Sequence, residues 1–227
     1  MKNYKGGYSK YQKDLLPFII EYVTPILNER SKGKIAYRSQ GDFSDKITSG
    51  FLEISKTFDS LQLSKQFIKI APPKSKKITK DEYIEYHVQH YLQEVYILKE
   101  RLVKYAKHIM RIYKNILNKE GVESTIKSLI TLVEKSLKNI IDVRGEHVHD
   151  TRYIDKTIQD LKLFSLSSQH DEKFIKIEKI SYTTAKNKWK AKLKTFNQDI
   201  EQLLDIYFGT LHLIVFKDGK VLTPNKY

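Results

Sequence analysis

Residues 79–118 read TKDEYIEYHVQHYLQEVYILKERLVKYAKHIMRIYKNILN, and this stretch decides the fold. Apolar side chains recur in it every three or four residues, the repeat of one face of an α-helix. They are Ile84, Val88, Tyr91, Leu92, Val95, Leu98, Leu102, Tyr105, Ile109, Ile112 and Ile116. Thr79 and Glu82 have the spacing of a capping box at the start. We predict one helix here, a rod of roughly 50–60 Å at about 1.5 Å per residue.

Two helices are predicted before this rod. The first covers residues 8–29, where Pro17 and Pro25 interrupt the pattern, so the sequence predicts a kink or two short pieces. The second runs from about residue 45 to residue 70, with a break near Ser60.

The chain after the rod is also predicted to be helical. Gly121 is the expected C-terminal cap of the rod, and the short link predicts that the next helix, 123–143, packs antiparallel to it. Further helical patterns cover residues 151–164 and 183–208, whereas residues 174–180 fit either a strand or a short helix.

The last residues have a different pattern. Asp218-Gly219 lies between two apolar runs, which predicts either a short β-hairpin or a helix that extends to Gly219. Together these patterns predict an all-α fold, an antiparallel bundle of about five to seven helices with a long central helix, in one domain spanning residues 1–227.

The composition narrows the classes of function. The chain has 227 residues and no cysteine, which excludes disulfides, thiolate metal sites and cysteine nucleophiles. Without a signal-peptide pattern or an apolar run of about 18 residues, we expect a cytoplasmic protein that does not enter a membrane. The net charge of +14 favours a polyanionic partner such as nucleic acid.

Two further patterns contain residue types that bind a metal or a phosphate. His87 and His90 are three residues apart, but no carboxylate completes a zinc-binding motif, so we predict neither a metal nor a cofactor. Lys186, Lys190 and Lys194 flank the apolar stripe of the last long helix. They predict either a phosphate-contacting face or an ordinary solvated flank.

The residues with the most chemistry are in the segment 140–150, IIDVRGEHVHD. A histidine exchanges protons near neutral pH, and an arginine binds a phosphate through two parallel hydrogen bonds. RNA cleavage can use both residue types. The 2′-hydroxyl beside the scissile phosphate is already the nucleophile, so the protein supplies the proton transfer and offsets the charge that develops on the phosphate. Arg144 and His149 are therefore the candidate catalytic residues, and His147 competes with His149 for the same role.

The pattern Arg144-x4-His149, at the end of one bundle helix and before the next, resembles the Arg-x4–6-His signature of the HEPN superfamily. The resemblance covers residues 79–165, with residues 1–70 as an N-terminal helical extension and residues 171–227 as a C-terminal helix and tail. It implies a metal-independent endoribonuclease of the kind found in toxin–antitoxin and other defence systems. It also implies a homodimer in which two motifs face one basic cleft, and a possible antitoxin or other protein partner.

Several alternatives remain open at this point. The chain departs from the family pattern at Gly145, where a polar residue is common. If the segment is helical, Arg144 shares a face with His147 rather than with His149. Arg144 can also pair with Asp142, Glu146 or Asp150. Many members of the family are non-catalytic RNA-binding or protein-interaction modules. In either function, Arg152 and the three lysines are expected to contact RNA.

Overall fold

The computed structural model describes residues 6–35, 42–72, 77–145 and 155–224. The helices in this part of the chain are α1 (Gly7–Ser31), α2 (Phe43–Lys69), α3 (Lys80–Tyr113), α4 (Lys119–Gly145), α5 (Lys156–Ser168) and α6 (Ile175–Val215). A 3₁₀ turn, Glu172–Phe174, precedes α6. The six helices confirm the all-α prediction. None of the described helices combines the length and the apolar character needed to cross a membrane.

The capping box predicted at the start of α3 is present. The backbone N–H and the hydroxyl of Thr79 both donate to the Glu82 carboxylate at 2.9 Å, and the Glu82 N–H returns a bond of 3.4 Å to the hydroxyl. The apolar stripe from Ile84 to Ile109 is buried throughout. The stripe therefore predicted the buried face of α3 correctly.

The end of α3 differs from the prediction. The helix stops at Tyr113, and Gly121 is inside α4 rather than capping α3. The Asn118 side chain explains this, because its oxygen accepts bonds from the N–H groups of Glu120 (3.1 Å) and Gly121 (3.3 Å). Asn118 thus satisfies the first free donors of a new helix.

Helix α1 is continuous through both of its prolines, so of the two alternatives predicted for this segment, a kink or two short pieces, the second is wrong. Each proline removes the hydrogen bond to the carbonyl four residues earlier. These carbonyls belong to Lys13 and Glu21, and both residues are exposed, as are Pro17 and Pro25. Water can therefore satisfy the two carbonyls, and the helix persists. Helix α2 likewise passes through Ser60 without a break.

The C-terminal hairpin is confirmed. Strands β1 (Phe216–Lys217) and β2 (Lys220–Val221) pair antiparallel, with Phe216 opposite Val221. Asp218 and Gly219 have φ angles of 51° and 73°. Positive φ at both central residues is the requirement of a type I′ turn, which an Asp-Gly pair meets at low cost.

The chain divides into two compact units. The first contains Met1–Ser55, Lys99–Ser136 and Ile200–Tyr227, and the second contains Lys56–Leu98 and Leu137–Asp199. The C-terminal part of α3 and the N-terminal part of α4 belong to the same unit, which agrees with the antiparallel hairpin predicted for these helices.

An aromatic cluster forms the core of the first unit. The Phe208 ring of α6 lies 4.9 Å from Tyr11 of α1 and 5.4 Å from Phe51 of α2. The Tyr105 hydroxyl of α3 is 2.7 Å from the Tyr11 hydroxyl and 3.2 Å from the carbonyl of Ile47. These contacts bring four helices together, and the hydroxyl groups bond to each other within the core.

The second unit has a buried tryptophan and polar contacts that join its helices. Trp189 of α6 is fully buried. The Glu178 carboxylate accepts bonds from Lys80 of α3 at 2.9 Å and from Ser168 of α5 at 3.0 Å. Residues 174–180, which the sequence left undecided, form the beginning of α6.

Candidate functional site

The predicted Arg/His motif begins in the last turn of α4. The helix continues to Gly145, so the backbone of Arg144 is helical. The side chain of Arg144 lies outside the described part of the structure, as do His147, His149 and Arg152. The structure therefore assigns no distance between the arginine and either histidine.

The α4 residues just before the motif are described. The Asp142 carboxylate, one of the candidate partners of Arg144, accepts a charged hydrogen bond from Lys138 one turn earlier. Both side chains are at least half exposed, so this pair contributes little to stability.

Asp155 begins the described chain again after the motif. It is buried, and its carboxylate accepts bonds from the N–H and the hydroxyl of Thr157, which makes it the N-cap of α5. Its second oxygen accepts a bond of 2.8 Å from Lys188 of α6. Burial alone would raise the pKa of Asp155, but the bonds from Lys188 and Thr157 outweigh it and lower the pKa. Asp155 thus caps the start of α5 and joins it to α6.

The three candidate lysines of α6 differ in their surroundings. Lys186 is half-buried, donates to the carbonyl of Ile70 at 3.1 Å and lies 5.6 Å from the centre of the Tyr182 ring. Lys190 and Lys194 are exposed, and no carboxylate of the described residues lies within ion-pairing distance of either. Since they are four residues apart, they share one face of α6. These two ammonium groups are the ones available to a phosphate backbone.

His87 and His90 belong to an aromatic cluster. The His87 ring stacks on Phe67 with 4.8 Å between centroids, and Tyr83 meets it edge-on at 4.6 Å. His90 lies 3.2 Å from the hydroxyl of Ser60 and is stacked with Tyr86 at 6.2 Å. Burial lowers the pKa of His87, and the neighbouring His90 lowers it further. Within the described ranges, no group of three or more His, Asp or Glu residues is arranged to hold a metal ion.

A pocket of about 220 Å³ with charged residues in its lining lies between α2 and α3 in the first unit, and the sequence did not predict it. Helix α3 contributes Arg101, Lys104 and His108, and α2 contributes Lys46 and Glu53, among other residues. Arg101 and His108 are seven residues apart, which places them two turns apart on one helix face. That spacing was the available signal.

The floor of this pocket depends on a glycine. A Cβ atom built on Gly50 would lie 2.5 Å from Cδ2 of the Tyr105 ring, closer than side chains tolerate. Glycine therefore allows α2 to approach the aromatic ring of α3. The tyrosine hydroxyl is held by Tyr11 and by the Ile47 carbonyl, so the ring is fixed in place.

Compared with known proteins, the chain matches no family model, no curated protein and no solved structure.

Proposed function

We propose that this chain is a metal-independent endoribonuclease of the HEPN type, that it acts as a homodimer, and that Arg144 and His149 are its reactive pair. The observation that supports the proposal is the position of Arg144 in the last turn of α4. The resemblance requires the arginine at the end of a long bundle helix that leads into the next. The net charge of +14 adds support, because RNA is a polyanion.

The proposed reaction uses the chemistry of RNA itself. The 2′-oxygen attacks the adjacent phosphorus, the bond to the 5′-oxygen breaks, and a 2′,3′-cyclic phosphate and a 5′-hydroxyl result. A histidine takes the proton of the 2′-hydroxyl or protonates the leaving 5′-oxygen. Arg144 offsets the negative charge that develops on the phosphorane oxygens. His149 is assigned the proton transfer, and His147 is the second candidate for it.

The test is RNA cleavage in the presence of EDTA by the native chain and by the variants Arg144→Ala, His149→Ala and His147→Ala. His170→Ala is the matched control, since His170 is an exposed histidine outside the motif. Loss of one catalytic group is expected to slow cleavage by about 10²-fold or more, with no change in the control. The proposal fails if EDTA abolishes cleavage, or if Arg144→Ala and His149→Ala cleave as fast as the native chain.

The second candidate function is RNA binding without turnover. The exposed pair Lys190 and Lys194 favours it, because two free ammonium groups on one face of α6 contact phosphates without any catalytic group. This alternative predicts RNA affinity that survives Arg144→Ala and His149→Ala, and intact RNA after incubation. Sedimentation equilibrium tests the homodimer separately, and a monomer at the assay concentration contradicts it.

A further inference from the structure

The pocket between α2 and α3 has a composition suited to an anion. Lys46, Arg101 and Lys104 bring three positive charges, and Asp45 and Glu53 bring two negative ones, for a formal charge of +1. Protonation of His108 raises it to +2. The negative charge of one phosphate monoester would complement this excess of positive charge.

The two carboxylates are directed to partners within the protein. Asp45 accepts a hydrogen bond of 2.6 Å from the hydroxyl of Ser49 on its own helix. The Glu53 carboxylate lies 3.8 Å from Nε of Arg101, and another guanidinium nitrogen of Arg101 donates to the Glu53 carbonyl at 3.0 Å. The arginine and Glu53 therefore largely neutralise each other, and Arg101 forms part of the wall of the pocket.

Lys46, Lys104 and His108 remain as the groups that can meet a ligand. No carboxylate of the described residues lies within ion-pairing distance of Lys46 or Lys104. Burial lowers the pKa of His108, and the positive charges of Lys104, Arg111 and Lys46 lower it further. Burial and the surplus of positive charge in the cluster therefore both favour the neutral imidazole.

The size of the pocket indicates how much of a ligand it can take. Its volume of about 220 Å³ corresponds to roughly seven water molecules at about 30 Å³ each. That is more than a phosphate group occupies, so part of the group that carries the phosphate also fits. The Tyr105 ring beside Gly50 provides an apolar floor for that part.

We propose that this pocket is a binding site for a phosphate monoester, held by Lys46, Lys104 and His108. The site lies in the first compact unit, and the proposal does not depend on RNA cleavage at Arg144. Binding of a dianion would offset the repulsion among the cations, so the bound ligand is expected to favour the protonated imidazole. The affinity for the dianion should therefore rise as the pH falls through the pKa of His108, after correction for the ligand's own protonation, whose pKa is about 6. The charged groups involved are Asp45, Lys46 and Glu53 of α2 together with Arg101, Lys104 and Arg111 of α3.

The experiment is an NMR titration of the His108 imidazole in the full chain, with inorganic phosphate, adenosine 5′-monophosphate and adenosine as probes. Phosphate and the monophosphate are expected to raise the pKa of His108, and adenosine is expected to leave it unchanged. Tighter binding of the monophosphate than of phosphate would assign the attached group to the Tyr105 floor. Equal binding of the two would identify free phosphate as a sufficient ligand, which also agrees with the proposal.

Lys104→Gln is expected to weaken phosphate binding about tenfold, since it removes one charge-assisted contact. Lys107→Gln is the matched control, because Lys107 is exposed on the same helix but does not line the pocket. Circular dichroism checks that both variants keep the helical content of the native chain. The proposal is overturned if phosphate leaves the titration of His108 unchanged. It is also overturned if both variants weaken binding equally, because the loss of one positive charge anywhere on the helix would then explain the effect.

Discussion

The hydroxyl groups of Tyr11 and Tyr105 lie 2.7 Å apart at a fully buried position, and this bond joins the first helix of the chain to the third. Burial raises the pKa of Tyr11 well above its usual value, and the neighbouring tyrosines, Tyr105 foremost, raise it further. Burial also raises the pKa of Tyr105. The folded state therefore strongly prefers both phenols in the protonated form.

This preference predicts an alkaline limit to stability. Since the folded pKa values lie above the unfolded value of about 10, the contribution is complete below about pH 10 and is lost as the pH rises further. Each such phenol adds a slope of up to about 1.4 kcal/mol per pH unit to the free energy of unfolding. In Tyr11→Phe, urea denaturation should show a shallower fall above pH 10, and a cost of about 1 kcal/mol at pH 7. An unchanged slope would contradict this account.

Two glycine-to-alanine substitutions should have opposite effects on stability. At Gly50, the new methyl group meets the Tyr105 ring at 2.5 Å, and the ring is held by its hydrogen bonds. Overpacking of this kind costs about 1–3 kcal/mol. At Gly121, the nearest atoms are at 3.6 Å, so alanine only gains helix propensity, about 0.5–1 kcal/mol.

Chemical denaturation of these two variants measures both changes in one series. The Gly50→Ala variant should also alter the pocket between α2 and α3, which the NMR titration of His108 would detect. Stabilisation by Gly50→Ala would mean that the Tyr105 ring moves easily, against the fixed floor described above.

The buried carboxylate of Asp155 is expected to stabilise the folded state through its capping bonds and through its charge. Asp155→Ala removes the N-cap of α5 and the partner of Lys188, and we expect a loss of about 1–2 kcal/mol. Asp155→Asn keeps an oxygen acceptor for the Thr157 N–H but loses the charge and the oxygen that accepts from Lys188. Because the cap of α5 is kept, its cost at pH 7 should be smaller than that of Asp155→Ala.

The lowered pKa of Asp155 gives this prediction a pH dependence. A depressed folded pKa contributes stability that is present above the usual value near 4 and is lost as the pH falls through the folded pKa. The difference in unfolding free energy between the native chain and Asp155→Asn should thus shrink below about pH 4. Asp171→Ala, at the cap of a three-residue 3₁₀ turn, is the control with a smaller expected cost. A difference that grows in acid would refute the assignment.

The exposed lysines of α6 are expected to set the salt dependence of RNA binding. If Lys190 and Lys194 each neutralise one phosphate, their joint replacement by glutamine lowers the slope of log affinity against log salt by about 1.4 for single-stranded RNA. Lys127 and Lys135 are exposed lysines of α4 and provide a double variant with the same change of net charge. Equal slopes in the two double variants, measured by fluorescence anisotropy, would assign the effect to net charge alone.

The sequence predicted the helices best where burial is periodic. The stripe of α3 gave both the helix and its buried face, because local propensity and tertiary packing select the same residues there. The beginning of α6 was ambiguous for the opposite reason. Ile175, Ile177 and Ile180 are 51%, 40% and 58% exposed, so their spacing reflects no buried face and cannot indicate strand or helix.

The position of the pocket depended on information that no local pattern contains. The spacing of Arg101 and His108 is visible in the sequence, but it becomes a site only because Gly50 lets α2 lie against Tyr105. The error at Gly121 has a similar origin. An Asn followed by a Gly fits the end of one helix as well as the start of another, and the Asn118 side chain decides for the start.

The distribution of aromatic residues gives the chain two built-in spectroscopic reporters. Its one tryptophan, Trp189, is buried in the second compact unit, whereas the interlocked tyrosines around Tyr105 belong to the first. Tryptophan fluorescence therefore follows the second unit alone, without any label. Tyrosine absorbance follows both units, because six of the 15 tyrosines also belong to the second. Superimposable curves would mean that the halves unfold cooperatively, and separated curves would reveal an intermediate with one half still folded.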